Sequence, residues 1–118
     1  MLNQRVKILC ICNQGENRSR TVFDILSANA GYELKYDGFY KEKFNEASNQ
    51  MEEFDPRNLE WADKIIVFEV SHEDLLKKFG YQYWSKSYNL DVPDLYSYSQ
   101  QKLKEIIESK LRQYNFLS

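Results

Sequence analysis

The sequence predicts an α/β fold in three layers: a central parallel four-stranded sheet with helices on both faces. Short runs of apolar, β-branched residues alternate along the chain with segments whose apolar residues recur at helical spacing. The 118 residues are 42% hydrophobic and include only four glycines and two prolines, a composition typical of a packed globular protein. We therefore expect residues 1–118 to form one domain.

The first third of the chain predicts a strand, a helix and a second strand. Residues 6–12 ("VKILCIC") form an apolar run typical of a buried strand. Residues 21–30 place their apolar side chains on one helical stripe, and Gly31 is the predicted stop of that helix. Residues 32–36 alternate weakly and predict a second strand.

The middle of the chain is polar and less regular. Residues 40–54 predict a short surface helix, because four apolar residues recur there at helical spacing. These four are Phe44, Ala47, Met51 and Phe54. Pro56 suits the first turn of a further helix that ends near Trp61.

The second half predicts two more strands and two more helices. Residues 64–68 ("KIIVF") predict a central strand, and the next segment predicts a helix with Ser71 as its N-cap and Gly80 as its stop. Residues 87–92 ("SYNLDV") predict the fourth strand of the sheet. Residues 99–114 predict an amphipathic helix, with five apolar side chains facing inward. These are Leu103, Ile106, Ile107, Leu111 and Tyr114.

Charge and length exclude several classes of function. A formal net charge of −2 gives no basis for broad adhesion to nucleic acid or to an anionic membrane. No apolar run approaches the roughly 20 residues of a membrane span, and residues 1–7 lack the apolar stretch of a signal peptide. We therefore expect a cytoplasmic protein with no membrane or nucleic-acid partner. The sequence does not indicate an oligomeric state.

The two cysteines differ in position. Cys10 lies within the first predicted strand and is expected to pack as a small apolar residue, whereas Cys12 ends that strand and begins a turn. They are too close for an ordinary structural disulfide and too few for a metal framework, so no metal or cofactor is expected.

The turn after the first strand has the composition of an anion site. Backbone N–H groups of the "NQGEN" segment, residues 13–17, can form a concave site for an anion. Gly15 supplies the positive φ that such a turn often needs, and Arg18 can bind two phosphate oxygens at once. These donors favour the thiolate of Cys12, which is then a nucleophile directed at phosphorus, and Ser19 can donate a hydrogen bond to its sulfur.

The segment "CNQGENRS" resembles the C-x5-R-[S/T] phosphate loop of the low-molecular-weight protein tyrosine phosphatases, especially their small bacterial branch. "LEWADKIIVFE" and "NLDVPDLY" are also similar to that family, and the resemblance covers most of the chain except residues 37–55. It implies a protein tyrosine phosphatase that hydrolyses phosphomonoesters through a phosphocysteine, without a cofactor. Cys12 is then the nucleophile and Arg18 binds the phosphoryl group. The remaining phosphate-loop residues bind the substrate: Asn13, Gln14, Gly15, Glu16, Asn17 and Ser19.

The same resemblance implies a general acid in the late segment "VPDLY". Asp94 matches the family's acid by position, and Tyr96 matches an aromatic side chain beside the substrate ring. Asp91 is the competing candidate for the acid. Leu95 stands where the family usually has proline, which is expected to leave Asp94 less well positioned.

Two further departures leave other functions open. Glu16 places an acid in the loop, where an inward side chain would repel a phosphate dianion, and His72 is expected on the helix surface or near the helix N-terminus. A non-catalytic module that binds phosphate or a phosphopeptide is the main alternative. Arsenate reductase is less favoured, because no further cysteine follows Cys12. A phosphatase of the RNA polymerase tail is a minor alternative.

Overall fold

The computed structural model describes residues 4–118, and within that range the chain forms six strands and five helices. The strands are β1 (Val6–Cys12), β2 (Tyr32–Gly38), β3 (Glu42–Asn45), β4 (Gln50–Glu53), β5 (Lys64–Val67) and β6 (Ser87–Asn89). The helices are α1 (Arg18–Leu26), α2 (Arg57–Trp61), α3 (Val70–Phe79), α4 (Tyr81–Trp84) and α5 (Gln101–Gln113). The expectation about a signal peptide in residues 1–7 lies partly outside the described residues.

The predicted parallel sheet is confirmed. Its four strands run in the order β2-β1-β5-β6, and every adjacent pair is parallel. The chain passes from β1 to β2 on one side and later returns to β5 on the other. The carboxyl end of β1 is therefore the switch point at which open α/β sheets bind ligands, and residues 13–17 follow it directly.

The three-layer arrangement is also confirmed, because each face of the sheet has its own buried core. Alternate residues of β1 divide between the two cores: Ile8, Cys10 and Cys12 face one side, while Leu9 and Ile11 face the other. Helices α1 and α5 cover the first side, with Val22, Leu26, Leu103, Ile107 and Leu111 fully buried. Helices α2 and α3 cover the second side through Leu59 and Leu76.

The helix predicted over residues 40–54 is wrong, because this segment forms an antiparallel hairpin of β3 and β4. Its turn is built by asparagines: the Asn45 side chain accepts hydrogen bonds from the Ala47 and Ser48 N–H groups, and Asn49 has a left-handed φ of 54°. Phe44 and Met51 pair across the strands and are exposed. Their helical spacing therefore reflects a cross-strand pair.

Several predicted boundaries are also wrong. Helix α1 begins at Arg18 and ends at Leu26, so Gly31 is not its cap. Glu69 precedes α3 where Ser71 was expected, although Gly80 ends the helix as predicted, with a φ of 155°. The fourth strand of the sheet is shorter than predicted, and Tyr114 is 43% exposed after the end of α5.

No helix in residues 4–118 has the length and apolar character needed to cross a membrane. No group of three or more His, Cys, Asp or Glu side chains in that part of the chain is arranged to hold a metal ion.

Candidate active site

The end of β1 and the first turn of α1 bring a thiol and a hydroxyl together. Cys12 is the last residue of β1 and is 3% exposed. Its Sγ lies 3.1 Å from Oγ of Ser19, which is fully buried. The predicted pairing of sulfur and hydroxyl is therefore present in the structure.

The loop between them, residues 13–17, rests with its backbone on the end of β2. Gly15 has a φ of +77°, and a Cβ there would lie 2.8 Å from the Asp37 carbonyl carbon. A Cβ on Gly38 would lie 2.2 Å from the carbonyl carbon of Gln14. Two glycines thus allow a backbone-to-backbone contact that any side chain would block. The sequence analysis missed this role of Gly38.

Asp37 fixes the end of β2 beneath this loop. The carboxylate is buried and accepts hydrogen bonds from the backbone N–H groups of Gly38 (2.9 Å) and Asp55 (3.0 Å). The Nζ atom of Lys41 also lies 3.8 Å from Oδ1 of Asp37. The platform of the loop is therefore tied to the segment that precedes α2.

The N–H groups of the loop, residues 13–17, are not used in backbone hydrogen bonds with residues 4–118. Gln14 and Glu16 are exposed, so the Glu16 carboxylate lies on the rim of the site. The inward orientation that would repel a phosphate dianion is absent.

Arg18 is buried, at 1% exposure, and only part of its guanidinium is bonded. Nη1 donates to the Val92 carbonyl at 2.7 Å and lies 2.6 Å from Oε2 of Glu69. Among the described residues, Nε and Nη2 have no hydrogen-bond partner, and Oδ2 of Asp94 lies 3.6 Å from Nη2. These two nitrogens form one edge of the guanidinium, the fork that binds two oxygens of an oxyanion.

His72 is fully buried, which contradicts the surface position but agrees with its predicted place near the start of a helix. The Phe68 N–H donates to its Nδ1 (3.1 Å), so the ring proton is on Nε2, which donates to Oδ1 of Asn13 (2.8 Å). Burial lowers the pKa of His72 to about 4, and the charge of Arg18 acts in the same direction. The neutral ring thus fixes the first residue of the loop.

Glu69 is a second site residue that the sequence analysis missed. Partial burial acts to raise the pKa of its carboxyl, but the hydrogen bond and charge of Arg18, together with smaller contributions from His72 and Ser71, leave the pKa below its ordinary value. Glu69 and His72 lie near the end of β5, the strand beside β1. The signal for both was their position at the carboxyl end of a central strand.

The late loop brings Asp94 to the same place. Asp94 lines a cleft of about 540 Å³ together with Asn13, Phe68, Glu69, Val70, Asp91 and Pro93. Asp91, the competing candidate, is exposed with a φ of 55°, and no ion pair joins it to Arg18 in the described residues. Tyr96 is half-buried and packs against the core.

A second cleft of about 510 Å³ lies on the other side of the loop. It is polar and is lined by Gln14, Gly15, Glu16, Asn17, Arg20, Tyr36, Asp37, Lys41, Glu42, Lys43, Glu52 and Tyr98. The unpredicted hairpin β3–β4 therefore forms one of its walls.

Known structures share this architecture. A low-molecular-weight protein tyrosine phosphatase from T. tengcongensis superposes with a TM-score of 0.70 at 18% identity, covering 94% of this chain and 96% of that one. The tyrosine phosphatase AmsI from Erwinia amylovora superposes with a TM-score of 0.73 at 18% identity, covering 100% of this chain and 95% of that one. The arginine phosphatase YwlE from Geobacillus stearothermophilus superposes with a TM-score of 0.71 at 15% identity, covering 94% of this chain and 89% of that one. The chain has the fold of the low-molecular-weight protein tyrosine phosphatases.

The likeness to these phosphatases is one of structure. No protein-family profile matches the sequence, and no curated protein matches it either. At 15–18% identity, the superpositions establish the fold. The activity is argued from the side chains of this chain.

Proposed function

We propose that the chain hydrolyses phosphomonoesters, with phosphotyrosine residues as substrates, through a phosphocysteine formed on Cys12. The buried guanidinium of Arg18 carries this proposal, because its Nε and Nη2 have no hydrogen-bond partner among residues 4–118. Buried charged donors are normally hydrogen-bonded, and a bidentate oxyanion is the ligand that fits two parallel N–H groups. The neighbouring Cys12 sulfur is the group that such a ligand would meet.

The first step transfers the phosphoryl group to the enzyme. The Cys12 thiolate attacks phosphorus, an S–P bond forms and the P–O bond to the leaving group breaks. Asp94 donates its proton to the departing oxygen, which would otherwise leave as a phenoxide. The loop N–H groups and Arg18 stabilise the charge on the three equatorial oxygens.

The second step releases phosphate. Asp94, now a carboxylate, takes a proton from a water molecule as its oxygen attacks phosphorus, and the S–P bond breaks. The electron pair returns to Cys12 as a thiolate. Ser19, with its Oγ 3.1 Å from the sulfur, donates a hydrogen bond that stabilises this leaving group.

An aryl substrate is supported by the cleft beside Asp94. A leaving oxygen within reach of Asp94 directs its substituent into the cleft that also contains Phe68, Val70 and Pro93. These apolar side chains offer contacts to a phenyl ring. The half-buried ring of Tyr96 remains a proposed contact of the substrate.

The nucleophile is tested with Cys12→Ser and the matched variant Cys10→Ala, assayed on p-nitrophenyl phosphate. We expect Cys12→Ser to reduce turnover to background, because an unactivated hydroxyl replaces the thiolate, whereas Cys10→Ala stays active. Rapid acid quench of the unaltered chain with labelled substrate should trap label on the protein. Substantial turnover by Cys12→Ser would refute the assignment of the nucleophile.

Two further assays decide between the remaining functions. Calorimetric binding of phosphate by the unaltered chain, with no turnover of any ester, would identify a non-catalytic phosphate-binding module. Peptides that carry phosphotyrosine or phosphoarginine test the substrate, since the structural neighbours include phosphatases described for each residue. We expect faster hydrolysis of phosphotyrosine, and a preference for phosphoarginine would overturn the aryl assignment.

A further inference from the structure

The segment that carries Asp94 has no regular secondary structure of its own. It lies between β6 and α5, and both Asp94 and Leu95 are exposed, Leu95 to 74%. An exposed segment of this kind holds a catalytic group in place only if its ends are fixed. We therefore define the acid loop as residues 93–97 and consider what holds its two ends.

The first end is fixed at Val92, which is fully buried. Its carbonyl accepts the hydrogen bond from Arg18 Nη1, and its N–H donates to the Phe68 carbonyl at 3.0 Å. The acid loop thus begins from a residue that is bonded to the phosphate-binding arginine.

The second end is fixed at Tyr98 by three contacts with α1 and with Asn17, the residue before it. The Tyr98 N–H donates to Oδ1 of Asn17 at 3.0 Å, and its hydroxyl donates to the Asp24 carboxylate. The guanidinium carbon of Arg20 lies 4.1 Å from the centre of the Tyr98 ring, a cation–π contact. Asn17 is the last residue before Arg18, so both anchors of the acid loop are made to consecutive residues of the phosphate-binding segment.

We propose that Tyr98 is a positioning residue that, through Asn17 and Asp24, holds the acid loop so that Asp94 stays within reach of the leaving oxygen. The inference rests on the proposed function, in which Asp94 is the general acid. With both ends bound, only five residues lie between the anchors, and the conformational entropy lost in bringing Asp94 to the substrate is small. Release of the Tyr98 end would let Asp94 move while the phosphate-binding groups keep their geometry.

The experiment compares two substrates that differ in their need for a general acid. Phenyl phosphate has a poor leaving group and requires protonation, whereas 2,4-dinitrophenyl phosphate does not. In Asn17→Ala, which removes the acceptor, we expect kcat/KM for phenyl phosphate to fall about fivefold to tenfold relative to that for 2,4-dinitrophenyl phosphate. Tyr98→Phe should give a smaller change of the same kind, and Asn17→Asp, which keeps an acceptor oxygen, should restore the ratio.

Three controls complete the design. Asp94→Ala sets the full effect of losing the acid, and Asp74→Asn, a change of an exposed aspartate on α3, should leave the ratio unchanged. Hydrogen exchange of the Tyr98 amide should be faster in Asn17→Ala than in the unaltered chain, which reports the anchor without any substrate.

The outcomes separate this inference from the proposed function. The role of Tyr98 would be overturned if Asn17→Ala leaves the ratio of kcat/KM for the two esters unchanged, or if it leaves the exchange rate of the Tyr98 amide unchanged. Neither result would affect the proposal that the chain hydrolyses phosphomonoesters. If the unaltered chain is active but Asp94→Ala has the same ratio of kcat/KM for the two esters as the unaltered chain, another residue is the acid and the inference fails. No turnover of either ester by the unaltered chain would overturn both proposals.

Discussion

The two loops that meet at the candidate active site are built in opposite ways. The loop proposed to bind phosphate, residues 13–17, lies with its backbone against Gly38 and is fixed by the buried His72 through Asn13. The acid loop, residues 93–97, is mostly exposed and is bonded mainly at the residues that flank it. The first loop has its backbone packed against a neighbouring strand, and the second is held mainly at its two ends.

The difference follows from what each loop is proposed to do. Donors that stabilise charge on phosphorus must be in place before the substrate arrives, because their reorganisation would cost part of the stabilisation. A general acid must reach oxygens of different leaving groups, so limited movement of Asp94 is compatible with its role. Variants that remove an oxyanion donor or disturb the backbone contact of residues 13–17 should therefore damage every substrate. Variants that release the acid loop should discriminate between substrates, and these include Asn17→Ala, which removes only the side-chain anchor of Tyr98.

The largest expected effect comes from the fork of Arg18. Arg18→Lys keeps the charge but removes the two parallel N–H groups of the Nε–Nη2 edge. We expect kcat/KM to fall on the order of 10³-fold for phenyl phosphate and for 2,4-dinitrophenyl phosphate alike. Steady-state kinetics with both esters measure this.

A matched change far from the site controls for a general effect of replacing arginine. Arg57 lies on α2 with its side chain 89% exposed, and Arg57→Lys should alter kcat/KM by less than about twofold. If Arg18→Lys lowers kcat/KM only for phenyl phosphate, Arg18 acts on the leaving group and not on the phosphoryl oxygens. That result would contradict the difference proposed here between the two loops.

The next effect concerns the backbone contact beneath the packed loop. A Cβ added in Gly38→Ala would meet the carbonyl carbon of Gln14 at 2.2 Å and the nitrogen of Gly15 at 2.5 Å. Because backbone must shift to relieve this overlap, we expect a loss of about 3 kcal/mol in the free energy of unfolding and a large loss of activity. Urea denaturation and turnover of 2,4-dinitrophenyl phosphate measure the two effects.

Gly31→Ala is the control for this change. The added Cβ would meet only the flexible side chain of Asn29, at 3.1 Å, and we expect a change below about 1 kcal/mol. Equal stability of Gly38→Ala and Gly31→Ala would show that the contact beneath the loop is not tightly packed.

The packed parts of the molecule were the parts that the sequence predicted well. The run "VKILCIC" predicted β1 with its correct bounds, because a buried parallel strand needs continuous apolar residues. Helix α5 followed from the spacing of Leu103, Ile107 and Leu111, which are all fully buried. The apolar stripe of Val22, Ile25 and Leu26 predicted α1 from Thr21 onwards, but the helix begins at Arg18, because its first turn is polar and lies outside that stripe.

The features that were missed depend on contacts distant in the sequence. Nothing local indicates that Gly38 supports residue 15 or that His72 donates to Asn13, because both pairs form only when neighbouring strands align. The hairpin of residues 42–53 was mistaken for a helix, because Phe44 and Met51 have a spacing that both structures allow. Its turn depends on side-chain hydrogen bonds of Asn45.

The buried histidine should make stability depend on pH. His72 has a pKa of about 4 in the folded chain and an ordinary value of 6.5, so the unfolded chain binds the proton more readily. The stabilisation is complete above pH 6.5, is lost as the pH falls towards 4 and amounts to at most about 3 kcal/mol. The pKa of Glu69 is also lowered in the folded chain. Its contribution to stability is therefore lost as well when the pH falls below its ordinary pKa of 4.5.

His72→Gln removes the titrating group and can keep both hydrogen bonds. We expect the free energy of unfolding to depend less steeply on pH between 6.5 and 4 in this variant than in the unaltered chain. Chemical denaturation at several pH values measures the difference. The same slope in both proteins would mean that His72 does not bear the lowered pKa.

The smallest expected effect sharpens the comparison from the side of the acid loop. Leu95 stands where the similar family usually has proline, its side chain is 74% exposed, and its N–H donates no backbone hydrogen bond in the described residues. Leu95→Pro therefore removes no contact seen here and restricts the backbone of Asp94. If the anchors at Val92 and Tyr98 already hold the loop, proline should raise kcat/KM for phenyl phosphate by only about twofold.

The same substitution should matter more once an anchor is lost. In the Asn17→Ala background, Leu95→Pro should recover most of the lost kcat/KM for phenyl phosphate and leave that for 2,4-dinitrophenyl phosphate unchanged. Anchors and proline would then be alternative means of restricting one loop, and their effects would not add. If the effects of Asn17→Ala and Leu95→Pro on kcat/KM are strictly additive, Tyr98 and Leu95 act on Asp94 independently. The acid loop would then not be held through its two ends.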